Sequence, residues 1–262
     1  PLIIKQQDNI DTHQLHILIV DGDSPDGTAA IVSKLESTIP TLSHIICRER
    51  GLGVAYKAGF KHAIKTMHPE LILEMDADGQ HDPVVIPSFI RLINDGFDCV
   101  IGSRFVTGGR VINFSPWRRF LSKFGNFLIR IIGGIPNIAD CTSGYRCIKT
   151  SYIQKCSFKR LLTTGYAFQS SLISELVRNK AKIVEFPIIF NERKYGESKL
   201  RLSDQIDFLI NLFYIRINRS FLFIKYALVG LSGVVVNMGA YYLFTRISNI
   251  PNNYAIWIAI EI

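Results

Sequence analysis

Between Leu15 and about Phe190, short β-rich apolar runs alternate with helical patterns, and this alternation restricts the fold more than any other feature. His16–Val20 reads as a buried strand, followed by a polar loop and a helix over Ala29–Leu35. Gly59–Thr66 reads as helix, and Leu71–Met75 and Cys99–Gly102 as further strands. Such alternation lays down a mainly parallel sheet with helices on its faces, an α/β class. In open sheets of this kind ligands bind beyond the carboxyl ends of the strands. The polar loops after Val20, Met75 and Gly102 start there, which nominates Asp21, Asp76, Asp78 and Arg104 as one cluster.

The strongest motif is MDADGQHDP, Met75 to Pro83. Two carboxylates at i and i+2, just past a strand, can share one divalent ion, and the Gln80 amide oxygen can complete the protein's share. Hard oxygen ligands suit Mg²⁺ or Mn²⁺, with diphosphate oxygens and water filling the other positions. A bare Asp-x-Asp is also common in solvated turns; its place after a buried strand favours the metal. Asp82-Pro83 then reads as N-cap and first residue of the next helix.

Other loops offer phosphate or nucleotide contacts. DGDSPDGT, Asp21 to Thr28, is a polar turn with Asp26-Gly27 at its tip, either ordinary turn chemistry or a nucleotide-binding loop. Arg50-Gly51-Leu52-Gly53 opens a helix whose amides can face a phosphate. It fails as a dinucleotide fingerprint because Tyr56 stands at the third Gly position, which disfavours a dehydrogenase. Arg104, Arg118 and Ser122 are phosphate-binding groups, the last two sharing one helix face by their i, i+4 spacing. Arg193 to Lys199, RKYGESK, sets cations around a glycine, either as a solvated loop or as a phosphate-binding one.

Ser115-Pro116 is a helix start that runs to Gly133-Gly134. Phe120, Phe124, Phe127, Leu128 and Ile131 form its apolar stripe, beside Arg118, Ser122 and Lys123. Two readings stand: a core helix with solvated charges, or a helix at a membrane surface. Ile206–Ile217 is apolar-rich with Asp207, Asn211 and Arg216 interspersed, fitting an interface helix. Leu228–Phe244 carries no charge and approaches the length of a spanning helix, with Gly230, Gly233 and Gly239 as packing positions. Tyr254–Ile262 reads as the opening of a second span. Lys and Arg are dense before Phe221, which keeps the catalytic part cytoplasmic. The expected division is a catalytic domain over 1–200, an interface linker over 201–219 and a membrane part over 220–262.

Composition agrees. The hydrophobic fraction is 48% and the net charge +8, with a mean hydropathy of +0.20. An apolar, cationic chain suits anionic headgroups or phosphate ligands. Nucleic acid is the competing partner of a basic chain, and no nucleic-acid motif or dense basic run supports it. Five cysteines without a Cys-x-x-Cys argue against a disulfide framework or zinc site. The chain opens on Pro1 without an initiator Met and stops inside an apolar run, so it is expected to be a piece of a longer protein.

Taken in order, VDGDSPDGT, RGLGVAYKAGF, MDADGQHDP, IGSRFVTGG, SGYRCI, GYAFQ and RKYGESKL resemble the dolichol-phosphate mannosyltransferases among the inverting family 2 glycosyltransferases. The resemblance covers Pro1 to about Phe213 and implies a GT-A-type, Rossmann-like fold. The stretch FLFIKYALVGLSGVVVNMGAYYLFTR resembles the GtrA-like membrane domain paired with such enzymes. The resemblance implies metal and donor-diphosphate contacts at Asp76, Ala77, Asp78 and Gln80, and acceptor-phosphate contacts at Arg104, Arg118 and Ser122. Arg193 and Lys199 would close over the donor, and Val20, Asp21 and Gly22 would meet the nucleotide. The implied catalytic groups are Asp78, Arg104 and Arg118, with a nucleotide sugar as donor and a polyprenyl phosphate as acceptor. The YGESKL spelling tilts the donor towards GDP-mannose over a UDP-sugar. A catalytically silent membrane scaffold or transporter component is the alternative of another class. A processive polysaccharide synthase lacks support because no Gln-x-x-Arg-Trp occurs. Two departures stand out. Gly22 occupies the place of the family's second Asp, with Asp23 one residue later, and the family's first strand would precede Pro1.

Overall fold

The computed structural model describes residues 2–161, 165–191, 216, 225–243 and 245. The chain forms two compact units, Pro1–Ile215 and Arg216–Ile262. In the first, a 3₁₀ turn (Ile4–Asn9) precedes β1 (Ile17–Asp21), α1 (Thr28–Glu36), β2 (Leu42–Ile46) and α2 (Leu52–His62). A π-helical turn (Ala63–Met67) leads to β3 (Leu71–Glu74), and a 3₁₀ turn (Pro83–Val85) to α3 (Ile86–Asn94). Then follow β4 (Cys99–Ser103), β5 (Arg110–Val111), α4 (Pro116–Ile132), β6 (Arg146–Lys149) and α5 (Thr150–Lys155). The unit's last described elements are α6 (Gly165–Arg178), β7 (Ile183–Pro187) and β8 (Ile189–Phe190).

The central sheet has the order β3-β6-β4-β7. β4 and β7 run parallel, whereas β6 lies antiparallel between β3 and β4. β1–β2 and β5–β8 are parallel pairs. The sheet is therefore mainly parallel with one reversed strand, which the alternation of runs did not reveal. Successive residues of β4 face opposite sides, as strand geometry requires. Cys99 and Ile101 join Ile129, Ile148, Phe168 and Leu172 in one core, while Val100 joins Phe89, Tyr145 and Cys147 in the other.

The helices start where local chemistry places them. The Ser115 hydroxyl accepts the Arg118 N–H at 3.3 Å, with Pro116 at the first position of α4. The Asp82 carboxylate accepts the Val84 N–H at 3.0 Å, with Pro83 opening the 3₁₀ turn. In α3, Ile86, Phe89, Ile90 and Ile93 recur at helical spacing and are all buried.

One expectation needs correction. β1 starts at Ile17 rather than His16, and Ile17–Val20 are half-buried rather than buried. Among the described residues β1 is hydrogen-bonded only to β2, so it has one covered edge. In the second unit residues 225–242 are helical, where a span was expected. Among the described residues no helix is long and apolar enough to cross a membrane. The expected interface helix, apart from Arg216, and the expected second span lie outside the described residues, as do Arg193 and Lys199.

Candidate active site

The loop after β3 carries Asp76 and Asp78 at the carboxyl end of the strand, as the alternation predicts. The pair is half-buried, between exposed Ala77 and Gly79, and the Asp76 side chain keeps 38% of its surface open. The Tyr56 hydroxyl on α2 donates to Asp76 Oδ1 at 3.2 Å, and burial together with Asp76 pushes its pKa up. Gly144 closes the other side. A Cβ there would stand 3.5 Å from both Asp76 carboxylate oxygens and 3.3 Å from the Tyr56 oxygen. The Asp78 carboxylate accepts the Gln80 N–H at 3.0 Å, an Asx turn that fixes the bend.

His81 holds this loop from beneath. It is buried, and its Nδ1 accepts the Asp76 backbone N–H at 3.1 Å, which puts the ring proton on Nε2. The ring stacks on Tyr145 at 4.7 Å and meets the edge of Phe190 at 5.4 Å. Burial pulls its pKa below the ordinary value, against the pull of Asp76, Asp78 and Asp140 and with the push of Arg104. The ring is therefore neutral, and it feels the charges of Asp76, Asp78, Arg104 and Asp140 together. Three of the four residues expected to cluster thus share one electrostatic neighbourhood. Asp21 turns elsewhere: its carboxylate accepts the Ser24 hydroxyl at 2.6 Å and the Ser24 N–H at 3.2 Å.

Arg104 is braced. Its Nε and one terminal nitrogen each donate to Asp140 at 2.7 Å, and the same terminal nitrogen also reaches the Thr142 hydroxyl at 2.7 Å. Asp140 is fully buried, which pushes its pKa up, yet the charge and hydrogen bonds of Arg104 together with Arg146 outweigh burial and hold its carboxyl below the usual range. Arg104 thus enters the site as half of an ion pair, which qualifies its expected role as a phosphate ligand. Thr142 also accepts from the Asn126 amide at 3.2 Å, and Asn126 Oδ1 accepts the Cys141 N–H at 2.7 Å. Asn126 lies on α4, one turn beyond Ser122, whose carbonyl it also binds at 2.9 Å. The brace therefore fixes α4 and the two groups it carries, Arg118 and Ser122. The Arg118 guanidinium sits 4.0 Å from the centre of the Phe114 ring, and Phe114 meets Phe190 edge-on at 5.9 Å.

Gln80 adds a contact that its motif position does not signal. It is buried, and its amide nitrogen donates to the Asn191 carbonyl at 3.0 Å, while the Asn191 N–H returns to the Gln80 carbonyl at 3.2 Å. It ties the Asp-x-Asp loop to the end of β8. Val20 faces α2, where a Cβ on Gly59 would lie 3.0 Å from its Cγ2. Gly22 is exposed with open space around it, and Asp23, at a positive φ of 59°, pairs with Arg48 at 3.6 Å. Behind the loop, Glu74 faces Arg146 across the β3–β6 ladder. Burial raises the Glu74 carboxyl to about 7 against the opposing pull of Arg146.

Among the described residues no three His, Cys, Asp or Glu side chains converge on one point. A divalent ion here would rest on Asp76 and Asp78. Two half-open carboxylates beside a neutral imidazole fit a hard ion that draws its other ligands from phosphate and water. Tyr56, His81, Asp140 and Tyr145 escaped sequence reasoning. Tyr56 stood out only as the residue that spoils a glycine fingerprint, and nothing in the sequence around Asp140 signals its pairing with Arg104.

Residues 3–156 match the family model described as glycosyl transferase family 2. The chain belongs to that family. Within glycosyl transferase family 2, the polyprenol monophosphomannose synthase of Mycolicibacterium smegmatis is 40% identical over 190 residues, covering 71% of each chain. A dolichol-phosphate mannosyltransferase of Pyrococcus furiosus is 34% identical, covering 94% of this chain and 68% of its own length. An undecaprenyl-phosphate mannosyltransferase of Micrococcus luteus is 36% identical over 70% of this chain and 75% of its own. Among solved structures, glucosyl-3-phosphoglycerate synthase of Mycobacterium tuberculosis, in complex with Mn²⁺, uridine diphosphate and glucosyl-3-phosphoglycerate, aligns with a TM-score of 0.55. At 12% identity, covering 83% of this chain and 73% of that one, this supports the α/β GT-A-like fold alone.

Proposed function

We propose that this glycosyltransferase moves a mannosyl residue from GDP-mannose to the phosphate of a polyprenyl phosphate, inverting the anomeric carbon. The carrying observation is the brace from Arg104 through Asp140 and Thr142 to Asn126, which joins the Asp-x-Asp loop's neighbourhood to the α4 face bearing Arg118 and Ser122. Two anionic partners can thus be held beside each other. The names of the three relatives, all mannosyl transferases or synthases acting on a polyprenol or polyprenyl phosphate, supply the sugar and the carrier.

Asp76 and Asp78 would hold Mg²⁺ or Mn²⁺, which when bound neutralises the departing diphosphate. Tyr56 and His81 keep Asp76 at its place, one through the carboxylate and one through the backbone. Arg118 offers a planar fork to the acceptor phosphate, and Ser122 a hydroxyl one turn further on. A phosphate dianion is already a nucleophile near neutral pH, so these residues orient and screen rather than abstract a proton. Arg193 and Lys199 would close on the donor. The catalytic unit faces the cytoplasm of a multi-pass membrane protein. That reading is supported by the Lys and Arg density before Phe221 and by the apolar stretch that follows.

The test offers the full-length enzyme labelled GDP-mannose, UDP-glucose and UDP-GlcNAc with polyprenyl phosphate and Mg²⁺ or Mn²⁺. A mannolipid from GDP-mannose is expected, and no lipid-linked product with any donor sinks the reading. Asp78→Ala should abolish turnover. Arg118→Ala should raise acceptor KM more than donor KM; the reverse would remove it from the acceptor site.

A further inference from the structure

Phe190 is the inward residue of β8: it is buried, while its strand neighbour Ile189 is exposed. Its ring meets three segments of the candidate site. The Arg104 guanidinium, just past β4, stands over the ring with its carbon 5.2 Å from the centroid. The imidazole of His81, which holds the Asp76 backbone, meets the ring at 5.4 Å and 63°. Phe114, just before α4, meets it at 5.9 Å and 89°, and Phe114 in turn carries the Arg118 guanidinium 4.0 Å from its own centre. Backbone bonds on either side join the same segments. The Phe190 carbonyl accepts the Ile112 N–H at 3.0 Å, two residues before Phe114, and the next residue, Asn191, exchanges two bonds with Gln80 in the Asp-x-Asp loop.

Filling the core does not by itself call for this arrangement. Phe186 packs against the same core cluster, and among the described residues its ring pairs with Phe89 and with no candidate site residue. The face of an aromatic ring attracts a guanidinium through its quadrupole, and edge-to-face pairs hold two rings at a set angle. An aliphatic side chain could occupy much of the same volume but has neither preference. We infer that Phe190 is a positioning residue, whose ring sets Arg104 and, through Phe114, Arg118 at a defined spacing from the Asp76 carboxylate.

In one respect this rests on the transferase reading. There the Asp-x-Asp loop faces the donor diphosphate and the two arginines face the acceptor phosphate, so the spacing of the two groups becomes the spacing of the two substrates. Attack requires the reacting atoms at near-contact distance, and a small misplacement lowers the rate steeply. The contacts of the Phe190 ring stand without that reading.

The experiment compares Phe190→Leu with Phe186→Leu in the full-length enzyme, supplied with GDP-mannose, Mn²⁺ and a short-chain prenyl phosphate. Both variants should melt somewhat earlier than the wild type. In Phe190→Leu the acceptor KM should rise about fivefold, the scale of one lost ring contact to a guanidinium. Its kcat should fall about tenfold, while the donor KM stays in place. Phe186→Leu should keep all three constants. Relaxation of the acceptor ³¹P by bound Mn²⁺, which depends steeply on their separation, should change in Phe190→Leu and match the wild type in Phe186→Leu. Equal shifts of acceptor and donor KM, the same kinetic change in both variants, or wild-type ³¹P relaxation in Phe190→Leu would each overturn the inference. A ligand-free cycle of Phe190→Leu, Phe114→Leu and the double variant tests the ring contact by itself. The double variant should lose less stability than the two single losses together, and strict additivity also overturns the inference. If the wild type forms no lipid-linked product, the transferase reading is removed, and the ligand-free cycle still decides whether Phe190 and Phe114 act together.

Discussion

His81 Nδ1 accepts the backbone N–H of Asp76 at 3.1 Å, so a buried neutral imidazole sets the position of the first carboxylate in the Asp-x-Asp loop. His81→Phe retains the stack on Tyr145 and removes the acceptor. An unpaired buried N–H costs about 1–3 kcal/mol, and part of that strain falls on the metal loop. Thermal melts should show a loss of several degrees, and Mn²⁺ titration of activity should show a half-saturating concentration raised about tenfold for ~1.4 kcal/mol of distorted binding. An unchanged metal requirement would make His81 a core residue and nothing more.

The Arg104–Asp140 pair should behave as a buried charge couple. Removing one partner strands the other, at about 3–5 kcal/mol. Asp140→Leu and Arg104→Met should each destabilise strongly, while the double variant loses far less than their sum, a coupling that urea denaturation of the four proteins reads directly. The sign with pH follows from Asp140, whose folded pKa is depressed. Its stabilisation is fully present above the ordinary carboxylate value of about 3.9 and lost as pH falls through the folded value. Denaturation midpoints of the wild type and Asp140→Asn should therefore converge only in acid.

Glu74 has the opposite sign. Burial raises its folded pKa to about 7, so the native state binds the extra proton between that value and the unfolded value of about 4.3. Stability should fall as pH rises across this window and level off above it. Glu74→Gln removes the slope. Parallel melts in EDTA from pH 4.5 to 8 should show the variant gaining on the wild type as pH rises, and a constant gap would contradict the buried-carboxyl assignment.

What the sequence makes legible is what short-range pattern encodes. The starts of α4 and of the turn at Pro83 are written in Ser115-Pro116 and Asp82-Pro83, and both caps form as read. The exposed loop after β3 is equally local. The reversed strand β6 is not, because an apolar run carries no direction, and Cys147 and Ile148 pack the same way whichever way the strand runs. The Arg104–Asp140 pair spans 36 residues of sequence, and only the fold brings its halves together. Gln80 carries a further long-range contact of this kind: its amide nitrogen bonds the Asn191 carbonyl, which no local pattern signals.

The exposed Gly22, just past β1, offers the sharpest test of donor recognition. Gly22 has no heavy atom within 4 Å of an added Cβ and no positive φ, so Gly22→Asp installs the carboxylate that the resemblance expects there without strain. If nucleotide contact runs through that position, the variant gains one charge-assisted hydrogen bond. For about 1 kcal/mol of net gain, donor KM should fall roughly fivefold with acceptor KM unchanged. Asp23→Ala separates the alternative. Asp23 is exposed and pairs with Arg48 at 3.6 Å, an interaction worth little by itself at the surface, so its removal should leave the melting temperature in place. A raised donor KM in Asp23→Ala, with no gain in Gly22→Asp, would place the nucleotide contact on Asp23 and explain how the loop functions with a glycine at 22.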